Sequence, residues 1–353
     1  MTKWTARDMP DLSGRWAVVT GGNSGLGYET ALELACHGAS VILAARSPER
    51  GEAAAERIRA AGGTACELRQ LDLASLASIE TFSESVLADR QPIDILVNNA
   101  GIMAVPRALT ADGFESQFGT NFLGHFALTA RLWPALVAAP AARVVTVSSG
   151  VALVGRIDLD DLNGERRYGP WRAYAQSKLA DLLFALELDR RVRRHGLPVV
   201  SVAAHPGFAA TNLQAKAAGN HAGTTTEAAG PAAGNPPSGE TATPGPAPGR
   251  NNSPLGTVLA VLHGLEAGVI ATGTRLTAQP AWQGALPLLF AATDPAVVGG
   301  SYLGPDGPLG QRGFPKVVSP PRQARDAATA SRLWAAAEEL TGVTFPLPAT
   351  VPS

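Results

Sequence analysis

The chain has 353 residues, of which 45% are hydrophobic and 17% charged, and its formal net charge at pH 7 is −1. That length can bury the core of one large domain or of two ordinary ones. The near-zero charge, without a basic cluster, argues against a nucleic-acid partner. Cys36 and Cys66 lack the spacing of metal ligands, so we expect no metal site and reduced, buried thiols.

The amino-terminal residues lack the apolar segment of a signal peptide. No uncharged apolar run reaches the roughly 18 residues of a membrane-spanning helix. The most apolar late stretch, residues 255–270, is interrupted by His263 and Glu266. The sequence therefore predicts a soluble, cytoplasmic protein with no membrane span.

A glycine-rich turn follows the first predicted strand, residues 16–20. The turn is Gly21-Gly22-Asn23-Ser24-Gly25-Leu26-Gly27, and a helix is predicted over residues 28–37. Strand, glycine turn and helix are the context that a dinucleotide-binding motif requires. Small residues let the backbone approach a pyrophosphate, whose charge then lies at the helix N-terminus. The alternative is a glycine turn that binds no ligand.

The second predicted strand, residues 40–45, ends where a Rossmann unit contacts the adenosine ribose. An acidic residue there would bind the 2′-hydroxyl of NAD, whereas Arg46 suits the 2′-phosphate of NADP. Ser47 can cap the following helix and Pro48 can begin it. We therefore expect NADP (as NADPH) rather than NAD, with a solvated arginine as the alternative.

Further strands alternate with helices down the chain. Such alternation predicts a single-domain Rossmann fold of class α/β, a doubly wound parallel sheet of about seven strands with helices on both faces. Ligands of such sheets bind at the carboxyl ends of the strands, where Gly21, Arg46, Asp72 and Asn98 would converge. The remaining predicted strands are residues 64–71, 93–97, 143–147, 198–204 and 299–303, and further helices are predicted over 75–89, 114–137 and 324–340, the last capped by Gly342.

Tyr174-Ala-Gln-Ser-Lys178 begins an apolar-periodic run with polar Asp181, Glu187 and Asp189 between, which predicts an amphipathic helix. A tyrosine and a lysine four residues apart lie on one helix face. The ammonium stabilises a phenolate, which lowers the pKa of the tyrosine toward working pH. Taken alone, the pair is better explained by an exposed helix face.

Three more candidates are less specific. Asn121 lies inside the predicted helix 114–137, where asparagine competes for the backbone, and both structural and catalytic roles stay open. Ser149 follows the predicted strand 143–147. His205 lies beside Pro206-Gly207 at a strand end, where histidine is more often structural than a base.

Residues 215–254 consist largely of Ala, Gly, Pro, Thr and Asn. Such a segment cannot bury enough apolar surface to offset its ordering entropy. It predicts a disordered insertion, in the loop that covers substrate, within one domain spanning residues 1–353. A structured lid is the alternative.

In their order, these motifs resemble the short-chain dehydrogenase/reductase family over about residues 14–212 and the last strand and helix. The placement of Arg46 and the charged residues 158–167 are most similar to the retinol-dehydrogenase and protochlorophyllide-reductase branch. The matching elements are Thr20-Gly21 with Gly25 and Gly27, Asn98-Asn99-Ala100-Gly101, Asn121, Ser149, Tyr174 with Lys178, and Pro206-Gly207.

The resemblance implies that Tyr174 is the general acid that protonates a carbonyl oxygen as hydride arrives, or the base in reverse. It implies that Lys178 lowers the pKa of Tyr174 and binds the nicotinamide ribose. Ser149 would hold the substrate oxygen, and Asn121 would anchor a water that relays protons. The implied cofactor-binding residues are Gly21, Asn23, Ser24, Gly25, Leu26, Gly27, Arg46, Ser47, Asp72, Leu73, Asn98, Ala100, Gly101, Tyr174, Lys178, Pro206, Gly207 and Thr211.

Two of those residues match the family motifs less specifically than the others. Asp72 resembles the residue that contacts adenine, with a helix N-cap as the alternative, and Thr211 resembles the threonine that meets the nicotinamide carboxamide. The hypothesis is an NADP(H)-dependent oxidoreductase that interconverts an alcohol and a ketone or aldehyde. Apolar residues around 255–262 and 286–290 suggest an apolar substrate.

Two other functions are alternatives on the same sequence. The first is a catalytically silent, redox-sensing regulator that binds NADP, which has no need of Ser149, Tyr174 and Lys178 together. The second is a glycine-rich methyltransferase, in which the tyrosine and lysine have no role. The resemblance also makes a homodimer or homotetramer plausible.

Overall fold

A computed structural model describes residues 3–63, 65–209 and 278–347. Eight strands form one sheet in the order β3-β2-β1-β4-β5-β6-β7-β8. Strands β1 to β7 are parallel to their neighbours, and β8 pairs antiparallel with β7. The strands are β1 Trp16–Thr20, β2 Ser40–Ala45, β3 Ala65–Gln70, β4 Ile95–Asn98, β5 Ala142–Val147, β6 Val199–Ala204, β7 Tyr302–Pro305 and β8 Pro315–Val318.

Eight α-helices connect or follow these strands within the described ranges. They are α1 Gly25–Cys36, α2 Pro48–Ala60, α3 Leu76–Ala88, α4 Gly124–Arg131, α5 Trp133–Ala138, α6 Pro170–Arg194, α7 Ala281–Thr293 and α8 Ala327–Thr341. A single helical turn, Ser116–Phe118, and a π-helix, Gly119–Leu123, precede α4.

Alternate residues of the central strands face opposite sides of the sheet, and both sides are covered. Val18, Leu96 and Val144 belong to a buried cluster that includes residues of α3, α4, α6 and α8. Val19 and Val97 belong to a second cluster on the other face, with residues of α1, α2 and α7. The predicted α/β class and the doubly wound sheet are therefore confirmed.

Strand β8 was not predicted from the sequence. It is four residues long, lies at the sheet edge, begins with a proline and leaves Lys316 and Val317 exposed. A short edge strand without alternating burial carries little of the pattern from which strands are predicted. Within the described ranges, the sheet accordingly has eight strands instead of about seven.

The predicted long helix 114–137 is helical over most of its length but is not one α-helix. The chain instead passes from one α-helical turn into the π-helix Gly119–Leu123, then into α4 and α5. Pro134, near the start of α5, has no amide hydrogen and clashes with the preceding turn, which explains the break after α4.

Two predicted helix ends are confirmed. Ser47 caps α2, its Oγ accepting a hydrogen bond from the Arg50 amide at 3.4 Å, and Pro48 is the first helical residue. Helix α8 ends at Gly342, whose φ of 65° is left-handed.

Thr211 and the predicted insertion 215–254 lie outside the described residues, as do residues 255–262. On either side of that part of the chain, Ala209 and Gln279 form an isolated parallel bridge. Of the helices that the structure describes, none is both long enough and apolar enough to cross a membrane. Both cysteines are free thiols, but Cys36 is exposed, so the expectation that both are buried is wrong for it.

Candidate active site

The carboxyl ends of β1 and β4 are tied together by the Thr20 hydroxyl. Its Oγ1 accepts hydrogen bonds from the amides of Asn99 and Ala100, both at 2.9 Å. The Asn99 side chain donates to the Thr20 main-chain oxygen at 2.8 Å. These contacts hold the residues after β4 against the glycine turn. Asn99 has no predicted role of its own, although it belongs to the motif Asn98-Asn99-Ala100-Gly101.

The glycine turn requires glycine at its contacts with this corner. Gly21 and Gly25 have φ values of 66° and 55°. A Cβ on Gly21 would lie 3.0 Å from the Ala100 Cα, and Gly27 packs against the Gly21 main chain. Ser24 precedes α1 without accepting a side-chain cap hydrogen bond. The first amides of α1 therefore have no side-chain acceptor there, which fits a pyrophosphate at this helix N-terminus.

The remaining two residues of the turn lie along the same loop. Asn23 and Leu26 are half-buried. A Cβ on Gly284 of α7 would come within 2.8 Å of the Leu26 side chain, so Leu26 packs against the start of α7. The turn is thus supported from both the sheet and α7.

Arg46 is exposed and directly follows β2. Its main-chain oxygen accepts a weak hydrogen bond from Gln70 at 3.4 Å. Within residues 3–63, 65–209 and 278–347, its guanidinium makes no ion pair or hydrogen bond. An unpaired guanidinium beside the glycine turn is suited to bind a phosphate.

Asp72 does not cap a helix. Ser75 caps α3, accepting a hydrogen bond from the Ser78 amide at 3.3 Å, whereas Asp72 Oδ1 accepts from Ala74 at 3.0 Å. The N-cap alternative for Asp72 is therefore excluded, and the residue lies half-buried after β3. The neighbouring Leu73 is a buried member of the core.

Asn98 points into the core and not toward the open edge of the sheet. Its side chain is buried and donates to the Thr129 hydroxyl at 3.0 Å, while its Oδ1 has no hydrogen-bond partner. Only its main chain reaches the edge, followed by Ala100 and Gly101. A Cβ on Gly101 would lie 3.1 Å from Asn121 Oδ1 and 3.8 Å from Lys178 Nζ. Bare backbone thus adjoins these two side chains.

The π-helix places Asn121 between the loop after β4 and helix α6. Its Oδ1 accepts from the Ile102 amide at 2.9 Å. Its Nδ2 donates to the Ile102 oxygen at 3.0 Å and to the Ser177 hydroxyl at 2.9 Å. Such π turns are frequent at functional sites, and this one holds the loop and helix together.

His125, for which the sequence predicts no role, holds the main chain of Asn121 in place. Its Nδ1 donates to the Asn121 main-chain oxygen at 2.7 Å, and its Nε2 lies 2.9 Å from Thr20 Oγ1. Burial lowers the pKa of His125 to about 3, against the opposing effect of the Asn121 carbonyl. The imidazole is therefore neutral at working pH.

The Ser149 side chain lies near enough to Tyr174 that its hydroxyl lowers the pKa of the phenol, against the effect of burial. Ser149 follows β5 and begins the short helix Gly150–Val154, and Tyr174 is buried in the second turn of α6. The Trp171 ring meets the Tyr174 ring edge-on, with centroids 6.2 Å apart. The structure thus brings the predicted serine and tyrosine close together.

Lys178 is buried one turn beyond Tyr174. Its Nζ donates to the Val147 oxygen at 2.9 Å and to Asp181 Oδ2 at 2.8 Å. Burial works against its charge, yet Asp181 and Tyr174 raise the pKa of Lys178 above its usual value. The lysine is therefore an ammonium held at the end of β5.

The pKa of Tyr174 is raised, contrary to expectation. Burial raises it, and this effect exceeds the lowering caused by the charge of Lys178 and the hydrogen bond from Ser149. Lys178 acts in the predicted direction but does not prevail. The tyrosine is consequently a neutral phenol at working pH, the form that can donate a proton.

His205 lies at the edge of this site, in the turn after β6. Burial lowers its pKa to about 4. Its Nδ1 accepts from the Gly207 amide at 3.3 Å, and the Pro206 oxygen accepts from the Gln279 side chain at 2.6 Å. Gly207 has a left-handed φ of 65°. These contacts favour the structural role for His205, as a support for the turn.

Comparison with known proteins identifies the family. A family model described as short chain dehydrogenase matches residues 15–221. Retinol dehydrogenase 13 of Homo sapiens is 39% identical over 339 residues, covering 95% of this chain and 87% of that protein. The expected similarity to retinol dehydrogenases is therefore confirmed.

Two solved structures are also similar. A crystal structure of a Mycobacterium paratuberculosis protein has a TM-score of 0.72 and 41% identity, covering 98% of this chain and 100% of that one. A short chain dehydrogenase of Shigella flexneri 2a, complexed with NADP, has a TM-score of 0.50 and 25% identity over 60% of this chain and 84% of that one. This chain belongs to the short-chain dehydrogenase/reductase family and is an NAD(P)-dependent oxidoreductase acting on CH–OH groups.

Proposed function

We propose that the protein is an NADP(H)-dependent oxidoreductase that interconverts an alcohol with a ketone or aldehyde through Ser149, Tyr174 and Lys178. One observation carries the proposal: the buried Tyr174 lies near Ser149, whose hydroxyl lowers its pKa, and the Lys178 ammonium lies on the same helix face one turn away. Ser149 follows β5, and the glycine turn follows β1. Both strands pair in parallel with β4, so both segments lie at the carboxyl edge of the sheet.

Each residue has a defined task in reduction. The dinucleotide supplies the hydride. Ser149 donates a hydrogen bond to the substrate oxygen and orients it beside the Tyr174 hydroxyl. Tyr174 transfers its proton to that oxygen as negative charge develops there. The Lys178 charge stabilises the phenolate that remains.

In this proposal Asn121 positions the elements around the site. Because its side chain joins Ile102 to Ser177, it fixes the loop after β4 against the helix that carries Tyr174 and Lys178. The adjoining Gly101 has no side chain, so a cofactor can approach Lys178 along its backbone. Proton relay through a water at Asn121 remains a prediction from the family resemblance.

The preference for NADP over NAD is supported by Arg46. Its unpaired guanidinium follows β2, where the adenosine ribose of a Rossmann cofactor lies. The similar Shigella flexneri 2a enzyme is complexed with NADP. The other cofactor-binding residues in this proposal are Gly21, Asn23, Ser24, Gly25, Leu26, Gly27, Ser47, Asp72, Leu73, Asn98, Ala100, Gly101, Tyr174, Lys178, Pro206, Gly207 and Thr211.

An apolar substrate is supported by the residues beside Tyr174 and Ser149. The half-buried Trp171 packs against Tyr174, and Leu153, in the short helix that Ser149 begins, is 60% exposed. The similar human protein is named for retinol, an apolar alcohol. Apolar surface around a reacting hydroxyl selects such substrates.

A screen for carbonyl reduction tests this function. Purified protein is supplied with NADPH carrying deuterium at the nicotinamide C4 and with retinal, steroid ketones and short aldehydes. We expect NADPH oxidation with at least one apolar carbonyl and deuterium on the carbinol carbon of the product. NADPH binding without turnover across the panel would instead favour the silent regulator.

A further inference from the structure

Asp181 forms a buried ion pair with Lys178. The two residues are three positions apart on α6, and Lys178 Nζ lies 2.8 Å from Asp181 Oδ2. The lysine and aspartate side chains are 6% and 2% exposed. Among the residues that the structure describes, no other carboxylate forms an ion pair with Lys178.

The second oxygen of Asp181 shows that the carboxylate serves little besides this pair. Oδ1 is buried and has no hydrogen-bond partner in the described structure. A carboxylate that served only to support the fold would be expected to satisfy both oxygens, because a buried unpaired oxygen is unfavourable. An ammonium buried alone would be more unfavourable still. The arrangement therefore favours the charge of Lys178.

Asp181 approaches Lys178 from the core and not from the open edge of the sheet. The Ser148 hydroxyl donates to the Lys178 oxygen at 2.7 Å, and the Ser201 hydroxyl donates to the Ala185 oxygen at 2.9 Å. These bonds fix α6 on the sheet on both sides of Asp181. Tyr174 precedes Lys178 by one turn and Asp181 follows it by almost one turn, so the ammonium lies between the phenol and the carboxylate.

We propose that Asp181 is a positioning residue for hydride transfer, which keeps Lys178 charged and sets the pH at which the Tyr174–Lys178 pair loses a proton. This inference rests on the proposed roles of Tyr174 and Lys178. The pair titrates as a unit, since each charge affects the other. The negative charge of Asp181 opposes removal of a proton from either member, so it moves that first loss to higher pH.

Other groups near the pair do not supply this effect. Burial, the Ser149 hydrogen bond and the mutual charges of Tyr174, Lys178 and Asp181 account for the shifts of their pKa values. From α4, His125 faces the same region but stays neutral, because burial lowers its pKa to about 3. Tyr302 of β7 reaches Ser148 and has a pKa raised by burial. Charged residues on the other segments packed against α6 include Glu115, Arg143, Asp158, Arg322, Arg325, Arg332, Glu338 and Glu339, and none of these described residues forms an ion pair with Lys178.

Asp181 itself has a pKa that burial raises to about 6, although Lys178 acts to lower it. Above that pH the carboxylate is charged and paired with the ammonium. The effect on the Tyr174–Lys178 pair is therefore present throughout the neutral and alkaline range, where the pair loses its proton.

The test is the isosteric variant Asp181→Asn, with kcat/KM for NADPH-dependent reduction measured from pH 6 to pH 11. Removal of the negative charge should move the alkaline decline of the profile to lower pH, whichever member of the pair loses the proton. Alcohol oxidation should begin to rise at lower pH as well. Asp181→Glu, which keeps the charge, should retain a profile closer to that of the wild type.

The matched control is Asp189→Asn, which removes a carboxylate that pairs with Arg193 farther along the same helix. Its profile should not move. If Asp181→Asn fails to fold, Asp181→Ser, which leaves room for water beside Lys178, carries the same prediction. A folded variant whose activity falls equally at every pH, without a shift of the profile, overturns the inference. That outcome leaves the proposed function intact, since the latter is contradicted by an active Tyr174→Phe enzyme or by the absence of turnover with every carbonyl, and not by an unmoved pH profile.

Discussion

The ammonium nitrogen of Lys178 donates a hydrogen bond to the main-chain oxygen of Val147 at 2.9 Å. Val147 is the last residue of β5, two residues before Ser149, and Lys178 lies one turn after Tyr174 on α6. This contact fixes the strand that leads to the serine against the helix that carries the tyrosine. The proposed catalytic residues are thus positioned by regular, packed elements, which gives a site its precision.

The glycine turn should tolerate no side chain at Gly21. Gly21→Ala places a Cβ 3.0 Å from the Ala100 Cα in a left-handed backbone, so we expect at least about a tenfold rise in the Kd of NADPH. The control is Gly14→Ala, where φ is also positive, at 78°, but nothing lies within 4 Å. Calorimetric titration of both variants distinguishes loss of the site from backbone strain alone. Equal affinity in the two variants would mean that the turn does not hold the cofactor.

Arg46 should determine the choice between the two cofactors. Arg46→Ala removes a charge-assisted contact with the 2′-phosphate, worth roughly 1.5–3 kcal/mol. The Kd of NADPH should therefore rise about 10-fold to 100-fold, while that of NADH changes less than about threefold. Arg194→Ala, an exposed arginine at the last turn of α6, serves as the control and should alter neither affinity. Equal losses for both cofactors in Arg46→Ala would show that Arg46 is only a surface charge.

The buried histidines should make the fold sensitive to acid. The pKa of His205 is about 4 in the folded protein and about 6.5 when unfolded, so its stabilising contribution is present above pH 6.5 and is lost as the pH falls toward 4. Between pH 7.5 and pH 5, that loss amounts to about 2 kcal/mol of unfolding free energy.

Urea unfolding at the two pH values measures this loss. The variant His205→Gln should lose about 2 kcal/mol less than the wild type over the same interval. The control is His195→Gln, at the C-terminal end of α6, which should behave as the wild type. Identical pH dependence of His205→Gln and the wild type would contradict the burial of a neutral imidazole.

Much of the fold was predictable because its signals are local. Strand β2 and the turn that follows β1 carry apolar runs and glycines whose meaning depends on a few neighbouring residues. The predicted convergence of Gly21, Arg46, Asp72 and Asn98 followed from the parallel sheet, since all carboxyl ends of its strands share one edge.

The hydrogen bonds that support the site were not predictable, because they join residues far apart in the sequence. The bond between Thr20 and His125 joins residues 105 positions apart, and that between Asn121 and Ser177 joins residues 56 apart. Hydrophobic periodicity does not distinguish a π-helix from an α-helix, so the π-helix that contains Asn121 was not predictable from the pattern.

Helix α6 shows how periodicity also misplaced charged residues. Asp181, Glu187 and Asp189 were expected on the polar face of an amphipathic helix, yet all three are buried. Each forms an ion pair on the same helix: Asp181 with Lys178, Glu187 with Arg190, and Asp189 with Arg193. A polar residue between apolar ones predicts exposure only when no oppositely charged partner is within reach on the same helix.

The central claim is that Tyr174 is the proton donor, and Tyr174→Phe tests it most directly. The variant keeps the ring that packs against Trp171 but loses the hydroxyl that lies near Ser149. With a carbonyl that the wild type reduces, kcat should fall by about 100-fold or more, because general acid catalysis of this kind is lost. The Kd of NADPH should change less than about threefold. Wild-type kcat in this variant, with NADPH binding unchanged, would contradict the account.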